Sequence, residues 1–307
     1  MKLIFLGTPD FAVPSLMKIA QSEHEILAVV TQPDRPRNRG VMTFSPVKEA
    51  ALKLGLKVLQ YDRISREGVD DLKALAPDIM VTCAFGQILS REILALPKFG
   101  VINEHASLLP KYRGSSPIQW CVINGEKQTG VTIMKTAYEV DSGDILFSDI
   151  TDIEENETAG ELFARLSILA ADSIIKALDV IASGNAVYTP QNHNEATFCK
   201  MLCKADGKID WSKSAVQIKN FVRGMNPWPC AFTSLDNMVY KIHKVSIVDC
   251  NLKGKVGEIV SSDKNGLIVA CGKGFLSIDV IQAPNAKKMC AKDYLLGHKI
   301  STGSVFE

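Results

Sequence analysis

Lys2-Leu3-Ile4-Phe5-Leu6-Gly7-Thr8-Pro9-Asp10-Phe11-Ala12-Val13-Pro14-Ser15-Leu16-Met17-Lys18-Ile19-Ala20-Gln21-Ser22 opens the 307-residue chain and sets its fold class. Leu3–Leu6 is an unbroken apolar run closed by Gly7-Thr8-Pro9-Asp10, the pattern of a buried strand ended by a turn. Val13, Leu16 and Ile19 then recur at helical spacing. Ile26–Thr31 is a second apolar strand. Strand, helix, strand in this order predicts an α/β fold with a Rossmann-like, mostly parallel sheet. The first turn lacks Gly-x-Gly-x-x-Gly, which disfavours a dinucleotide site despite that layout.

The same alternation continues outward. Leu56–Leu59, Ile79–Thr82 and Gly100–His105 read as further strands. Ser45-Pro46 starts a helix to about Leu54, with Ser at the cap and Pro at the first helical position. Arg66–Leu75 is amphipathic and helical, and Ser115-Ser116-Pro117 caps a helix to about Ile123. Thr129–Met134 and Ile145–Ile150 are strands. Thr158 and Glu161 form a capping-box pattern at the head of a helix to about Ile181. Little periodicity follows from 185 to 205, which reads as a linker with short extended pieces. Beyond it come a helix, Ser214–Gly224, and regularly spaced short strands between 231 and 280. Such strands predict a small C-terminal β-barrel, the five-stranded oligonucleotide-binding type being one option. Three segments result: 1–184, a linker 185–205, and 206–307.

Composition bounds the function class. Hydrophobic residues make up 46% of the chain and charged residues 22%, ordinary values for a globular protein with a sizeable core. Net charge is only +1, but it is unevenly placed. Residues 206–307 carry 14 Lys and Arg against 9 Asp and Glu, whereas 1–205 carry 21 against 25. A basic C-terminal third can lean on a polyanion, or can simply be solvated. None of the eight cysteines forms a Cys-x-x-Cys pair, and Cys199-x-x-x-Cys203 lacks partners at ligand spacing, so no metal is expected. No apolar run is long enough for a secretory signal or a membrane span, which predicts a cytoplasmic protein.

Chemistry gathers in Val101-Ile102-Asn103-Glu104-His105-Ala106-Ser107-Leu108-Leu109-Pro110-Lys111-Tyr112-Arg113-Gly114. Asn103 and His105 are two apart, so on a strand both point to one face. An amide donor beside an imidazole suits acyl transfer: one holds a developing oxyanion, the other donates to it or moves a proton. The alternative is a polar strand end with a hydrogen-bonded histidine. Asp141, in the turn Glu139-Val140-Asp141-Ser142-Gly143-Asp144, can orient His105 or can be an ordinary turn aspartate. Phe85, Gly86, Gln87, Ile88 and Leu89 follow a strand at the carboxyl end, where open α/β sheets bind ligands. They can line a slot for a flat ring or begin a helix. Arg35, Arg37 and Arg39 alternate in a Pro- and Gly-flanked stretch that reads as an exposed, mobile loop, either phosphate-binding or merely solvated.

Taken together, these motifs resemble the methionyl-tRNA formyltransferases nearly end to end. The match is carried by Phe5–Ala12, Thr31-Gln32-Pro33-Asp34-Arg35-Pro36 with Arg39-Gly40, Ser45–Lys48, Phe85–Leu89, Asn103-x-His105-x-Ser107-Leu108-Leu109-Pro110-x-Tyr112-Arg113-Gly114 and Pro117-Ile118-Gln119. It continues through Thr129–Met134, Asp141-x-Gly143-Asp144, Trp211 and Asn226-Pro227-Trp228-Pro229. The resemblance implies formyl transfer from 10-formyltetrahydrofolate to the free amine of methionine on initiator tRNA. It implies Asn103, His105 and Asp141 as the catalytic set. Folate contacts fall to Phe85–Leu89 and to Ser107, Leu108, Leu109 and Pro110. Arg35, Arg37 and Arg39 would meet the tRNA, held also by the C-terminal domain, and the protein is expected to be a monomer. Three departures stand out. Glu104 occupies a position usually apolar, where burial is costly unless the carboxyl is paired or protonated. Ala137 and Glu139 replace a common Asp and Gly. The arginine loop is about a residue short after Gly40, with Val41-Met42 where lysines are frequent.

Overall fold

The computed structural model describes residues 1–37, 41–263 and 266–307. It divides into two compact units. The first comprises Met1–Gly114, Gln128–Asp152 and Phe163–Cys199; the second comprises Ser115–Lys127, Ile153–Leu162 and Lys200–Glu307.

The first unit carries β1 (Lys2–Gly7), β2 (Glu25–Thr31), β3 (Arg35–Arg37), β4 (Val41–Thr43), β5 (Val58–Gln60), β6 (Ile79–Cys83), β7 (Val101–His105), β8 (Arg113–Gly114), β9 (Gln128–Lys135), β10 (Ile145–Asp152) and β11 (Phe198–Cys199). Seven form one sheet in the order β10-β9-β7-β6-β1-β2-β5. β5, β2, β1, β6 and β7 run parallel, and β9 and β10 continue antiparallel. β1 lies at the middle of the five parallel strands, and Leu3, Ile4, Phe5 and Leu6 have no exposed surface. Each such side chain contributes roughly 1.5–3 kcal/mol by leaving water. The chain first winds to one side of β1 through β2 and β5, then returns to its other side at β6. That reversal opens a crevice at the carboxyl ends of β1 and β6, the usual ligand position in such sheets.

Local differences from the sequence reading have local causes. The helix expected over Arg66–Leu75 is two helices, Ile64–Glu67 and Val69–Leu75, meeting at Gly68. A Cβ there would lie 3.0 Å from the Ile64 and Tyr61 side chains, so the chain turns at a tightly packed point that suits glycine. At the start of the arginine stretch, Arg35–Arg37 forms β3, which pairs antiparallel with β4, in place of the expected irregular loop. The segment from 185 is laced onto the first unit at two points. Thr189 and Ile145 exchange backbone hydrogen bonds of 2.8 Å, and β11 pairs in parallel with β8.

In the second unit, β12 (Ala231–Leu235), β13 (Met238–Val248), β14 (Ile259–Asp263), β15 (Gly266–Ala270) and β16 (Phe275–Gln282) form an antiparallel sheet ordered β12-β13-β16-β15-β14, and β17 (Met289–Cys290) pairs with β16. Alternation in β12 buries Ala231, Thr233 and Leu235. Trp211 stacks on Phe306, with ring centroids 5.7 Å apart, and its indole N–H donates to Thr233 Oγ1 at 2.9 Å. The helix Ala215–Gly224 starts at Ser214, whose side chain accepts from Gln217 N at 3.3 Å in a capping box. Among the described residues no helix is long and apolar enough to cross a membrane, and no cluster of His, Cys, Asp or Glu is suited to a metal ion.

Candidate active site

β7 ends at the carboxyl edge of the sheet, and its alternation separates three side chains. Asn103 and His105 share one face, while Glu104 enters the opposite, buried one. Thr82 pairs with Asn103 across β6 and β7, and its hydroxyl donates to Asn103 Oδ1 at 2.8 Å. The amide is thereby fixed with its Nδ2 donors uncommitted among the described residues. His105 is 6% exposed. Its Nε2–H donates to the Tyr112 carbonyl at 2.8 Å, and its Nδ1 lies 3.6 Å from Asp141 Oδ2. The second distance exceeds a hydrogen bond, but catalytic contacts often tighten only when substrate binds.

Asp141 reaches His105 from the turn between β9 and β10. Its φ of 51° is left-handed, a conformation Asp tolerates better than most residues. The carboxylate also accepts from Gly114 N at 2.7 Å. Gly143 closes the turn against β9, where a Cβ would sit 1.9 Å from the Lys135 carbonyl. Gln191 donates to the Asp141 carbonyl at 2.9 Å and to the Gly143 carbonyl at 2.7 Å. Sequence reading missed Gln191 because it lies in an aperiodic stretch. Only the chain order of the folded segment brings it here.

Glu104 is 4% exposed. Burial pushes its carboxyl up to about 8, against the Ser15 hydroxyl and the neighbouring Cys83 thiol, which favour the ionised form. Ser15 Oγ donates to Oε2 at 2.7 Å, and Oε1 has no hydrogen-bond partner among the described residues. A protonated carboxyl is the form that burial permits.

The remaining expected site residues divide. Phe85 and Leu89 turn into the core of the first unit, whereas Ile88 is 71% exposed. Gly86 has φ +82°, and the Phe85 carbonyl accepts from Thr8 Oγ1 at 3.1 Å and Gln32 Nε2 at 3.2 Å. Gln87 is spent on holding the loop: its Nε2 donates to the Tyr61 carbonyl at 2.8 Å, and its Oε1 accepts from Ile64 N at 2.8 Å. Beside the loop is a cavity of about 470 Å³, with Gln87, Ile88, Leu89, Arg63, Arg66 and Tyr138 in its walls. Ser107 is buried and its hydroxyl donates to the Lys111 carbonyl at 2.7 Å. Thr132 pins the following turn, donating to the Ser107 carbonyl at 2.7 Å and accepting from Leu109 N at 3.2 Å. Leu108 is half-buried, Leu109 is buried, and the Leu109–Pro110 peptide is cis. Arg35 is exposed on β3, and Arg37 ends the same strand. Arg39 lies outside the described residues.

With this geometry in hand, comparison with known proteins is direct. Residues 1–178 match the family model described as Formyl transferase, and 201–299 match Formyl transferase, C-terminal domain. The methionyl-tRNA formyltransferase of Alkaliphilus oremlandii (strain OhILAs) is 45% identical over 307 residues, 99% of each chain. That of Clostridioides difficile (strain 630) is likewise 45% identical over 99% of each chain. Among solved structures, an N-formyltransferase from Helicobacter canadensis in complex with folinic acid and dTDP-3-aminofucose superposes with a TM-score of 0.69. It covers 94% of this chain and 100% of its own at 21% identity, which is likeness of fold. Full-length identity at this level, across both domain models, shows that the chain belongs to the methionyl-tRNA formyltransferases within the formyl transferase family.

Proposed function

We propose that this chain transfers the formyl group of 10-formyltetrahydrofolate to the free α-amino group of methionine on initiator Met-tRNA, giving the formylmethionyl-tRNA that starts translation. One observation carries the reading. A chain that aligns along its whole length with methionyl-tRNA formyltransferases sets an uncommitted amide donor and an aspartate-faced imidazole side by side at a carboxyl sheet edge.

The folate co-substrate fits the residues present. Asn103 offers unused N–H donors where a formyl oxygen needs them, and the cavity beside Gln87, Ile88 and Leu89 offers apolar wall from Ile88, Leu89 and Tyr138 with Arg63 and Arg66 beside it. When bound, 10-formyltetrahydrofolate supplies an activated formyl carbon. Phe85–Leu89 and Ser107–Pro110 hold it. The methionyl amine is its own nucleophile, so no Ser or Cys nucleophile is required. Asn103 Nδ2 stabilises the oxygen as it gains charge, and His105 joins it by turning its Nε2–H away from the Tyr112 carbonyl. Asp141 orients His105 and helps to remove the proton that the amine gives up; as the new C–N bond forms, the bond from the formyl carbon to the folate nitrogen would break, and tetrahydrofolate would leave with that proton. Arg35, Arg37 and Arg39 meet the acceptor end of the tRNA, and the basic segment 206–307 holds its backbone. In this reading 1–184 is the catalytic domain, 185–205 a linker and 206–307 the tRNA-binding domain of a cytoplasmic monomer.

The test is an assay of purified protein with 10-formyltetrahydrofolate, offering Met-tRNA and, separately, amino sugar nucleotides. Formylmethionyl-tRNA is the expected product. Formylation of a sugar nucleotide with Met-tRNA left untouched would overturn the reading.

A further inference from the structure

The buried network beneath Asp141 is built from a residue outside the catalytic set. Gln191 is 5% exposed, and every polar atom of its amide is spent. Its Oε1 accepts from Arg113 Nε at 3.1 Å and Nη2 at 2.6 Å. Its Nε2 donates to the carbonyls of Asp141 at 2.9 Å and Gly143 at 2.7 Å. Arg113 is itself buried, 4% exposed, and completes its contacts on His193 Nδ1 at 3.1 Å. Its neighbour Gly114 donates its N–H to the Asp141 carboxylate. One amide therefore ties the strand that binds the Asp141 side chain to the main chain that carries it.

The main chain at Asp141 has a reason to need such a tie. At φ 51° Asp141 is in the left-handed region, which Asp tolerates but which still favours a turn held by its surroundings. Gln191 is in turn fixed from both sides. Thr189 is bonded to Ile145, and Arg113 N donates to the Thr197 carbonyl at 2.8 Å. The donor pair cannot slide away from the turn without breaking a bridge.

We propose that Gln191 is a positioning residue for formyl transfer: through its two N–H donors it fixes the Asp141 turn, and so the carboxylate that orients His105. The inference rests on the catalytic roles assigned above to Asp141 and His105. It differs from simple structural support in one respect. A structural tie protects the fold whatever Asp141 does, whereas a positioning tie matters only while the Asp141 carboxylate is present.

Gln191→Glu separates the two halves of the amide. It keeps an acceptor for Arg113 but replaces both donors with an oxygen facing two carbonyls. Displacing a catalytic group by about an ångström costs up to roughly a hundredfold in rate. The experiment measures kcat and both KM values for wild type, Gln191→Ala, Gln191→Glu, Asp141→Asn and the double variant Gln191→Ala with Asp141→Asn. Expected is a fall in kcat of about 10- to 100-fold for each Gln191 variant, with both KM values within about threefold. In the Asp141→Asn background, Gln191→Ala should cost less than about threefold more, because the two act as one unit. Losses that multiply in the double variant overturn the inference, as does a Gln191→Glu enzyme that keeps kcat within about threefold of wild type. Should Gln191→Ala fail to fold, the Gln191→Glu result decides alone. If Asp141→Asn itself retains near-normal turnover, the catalytic reading fails, a result distinct from failure of the Gln191 tie.

Discussion

Glu104 and His105 are neighbours on β7 whose side chains leave the sheet in opposite directions. His105 meets Tyr112 and Asp141 at the sheet edge, and Glu104 meets Ser15 in the core. The sequence showed this separation directly, since a period of two admits no other arrangement on a strand. It also exposed Glu104 as the residue needing protonation or a partner. Because its folded value of about 8 lies above the ordinary carboxyl value of 4.5, the folded protein holds a proton that the unfolded chain releases. Stability owed to that proton is full below about pH 4.5 and is lost as pH rises through about 8. Glu104→Gln should therefore raise the melting temperature more at about pH 8.5 than at about pH 5, by at least about 2 °C at the higher pH. Equal shifts at both pH values would show that the carboxyl does not titrate with folding. Gln191 gave no comparable signal. Its partners Arg113, Asp141 and Gly143 lie 48 to 78 residues away in the chain, and nothing in the local pattern of Thr189–Asn194 points toward them.

Strands and their turns are the next scale. Continuous apolar runs identified β1, β2 and β6 because strands buried on both faces tolerate little else. Short pairs were harder. β8 with β11 and β3 with β4 have two or three residues each, too few to establish a period. Their stability comes from what lies beside them. The turn of Asp141 is defined instead by Gly143, which fits against β9 only without a side chain. Gly143→Ala should force the turn away from Lys135, destabilise the protein by about 1–3 kcal/mol in denaturant melts and lower kcat along with it. An unchanged midpoint and rate would mean that the turn moves freely. For the arginine stretch the prediction concerns binding. Arg39→Ala should raise the KM for Met-tRNA several-fold, about 3- to 10-fold for one lost phosphate contact, and leave kcat within about twofold. An unaltered KM would mark Arg39 as solvated only.

Across the whole molecule, charge and chemistry are divided between segments. The acidic N-terminal part carries β1, β6 and β7 with Asn103, His105 and Asp141, and an excess of basic residues gathers in 206–307. Composition alone left that asymmetry ambiguous between solubility and polyanion binding; the full-length kinship with methionyl-tRNA formyltransferases favours binding. The KM for Met-tRNA should then climb steeply with salt, with a log–log slope of about one per phosphate neutralised, while that for the folate changes little. Equal salt dependence of the two would detach the basic segment from tRNA. The linear sequence also hid how its pieces regroup. Ser115–Lys127 and Ile153–Leu162 pack with the C-terminal strands although they interrupt the N-terminal sheet in chain order. The helix Pro117–Ile123 shows why. Its residues Trp120 and Ile123 pack against the core of the second unit, a preference that amphipathic spacing alone does not reveal. The most direct measurement is turnover of His105→Ala with Met-tRNA and 10-formyltetrahydrofolate, both saturating. Loss of the imidazole should lower kcat by at least about a hundredfold. Turnover within about threefold of wild type would contradict the role given to His105, and with it the site at the end of β7.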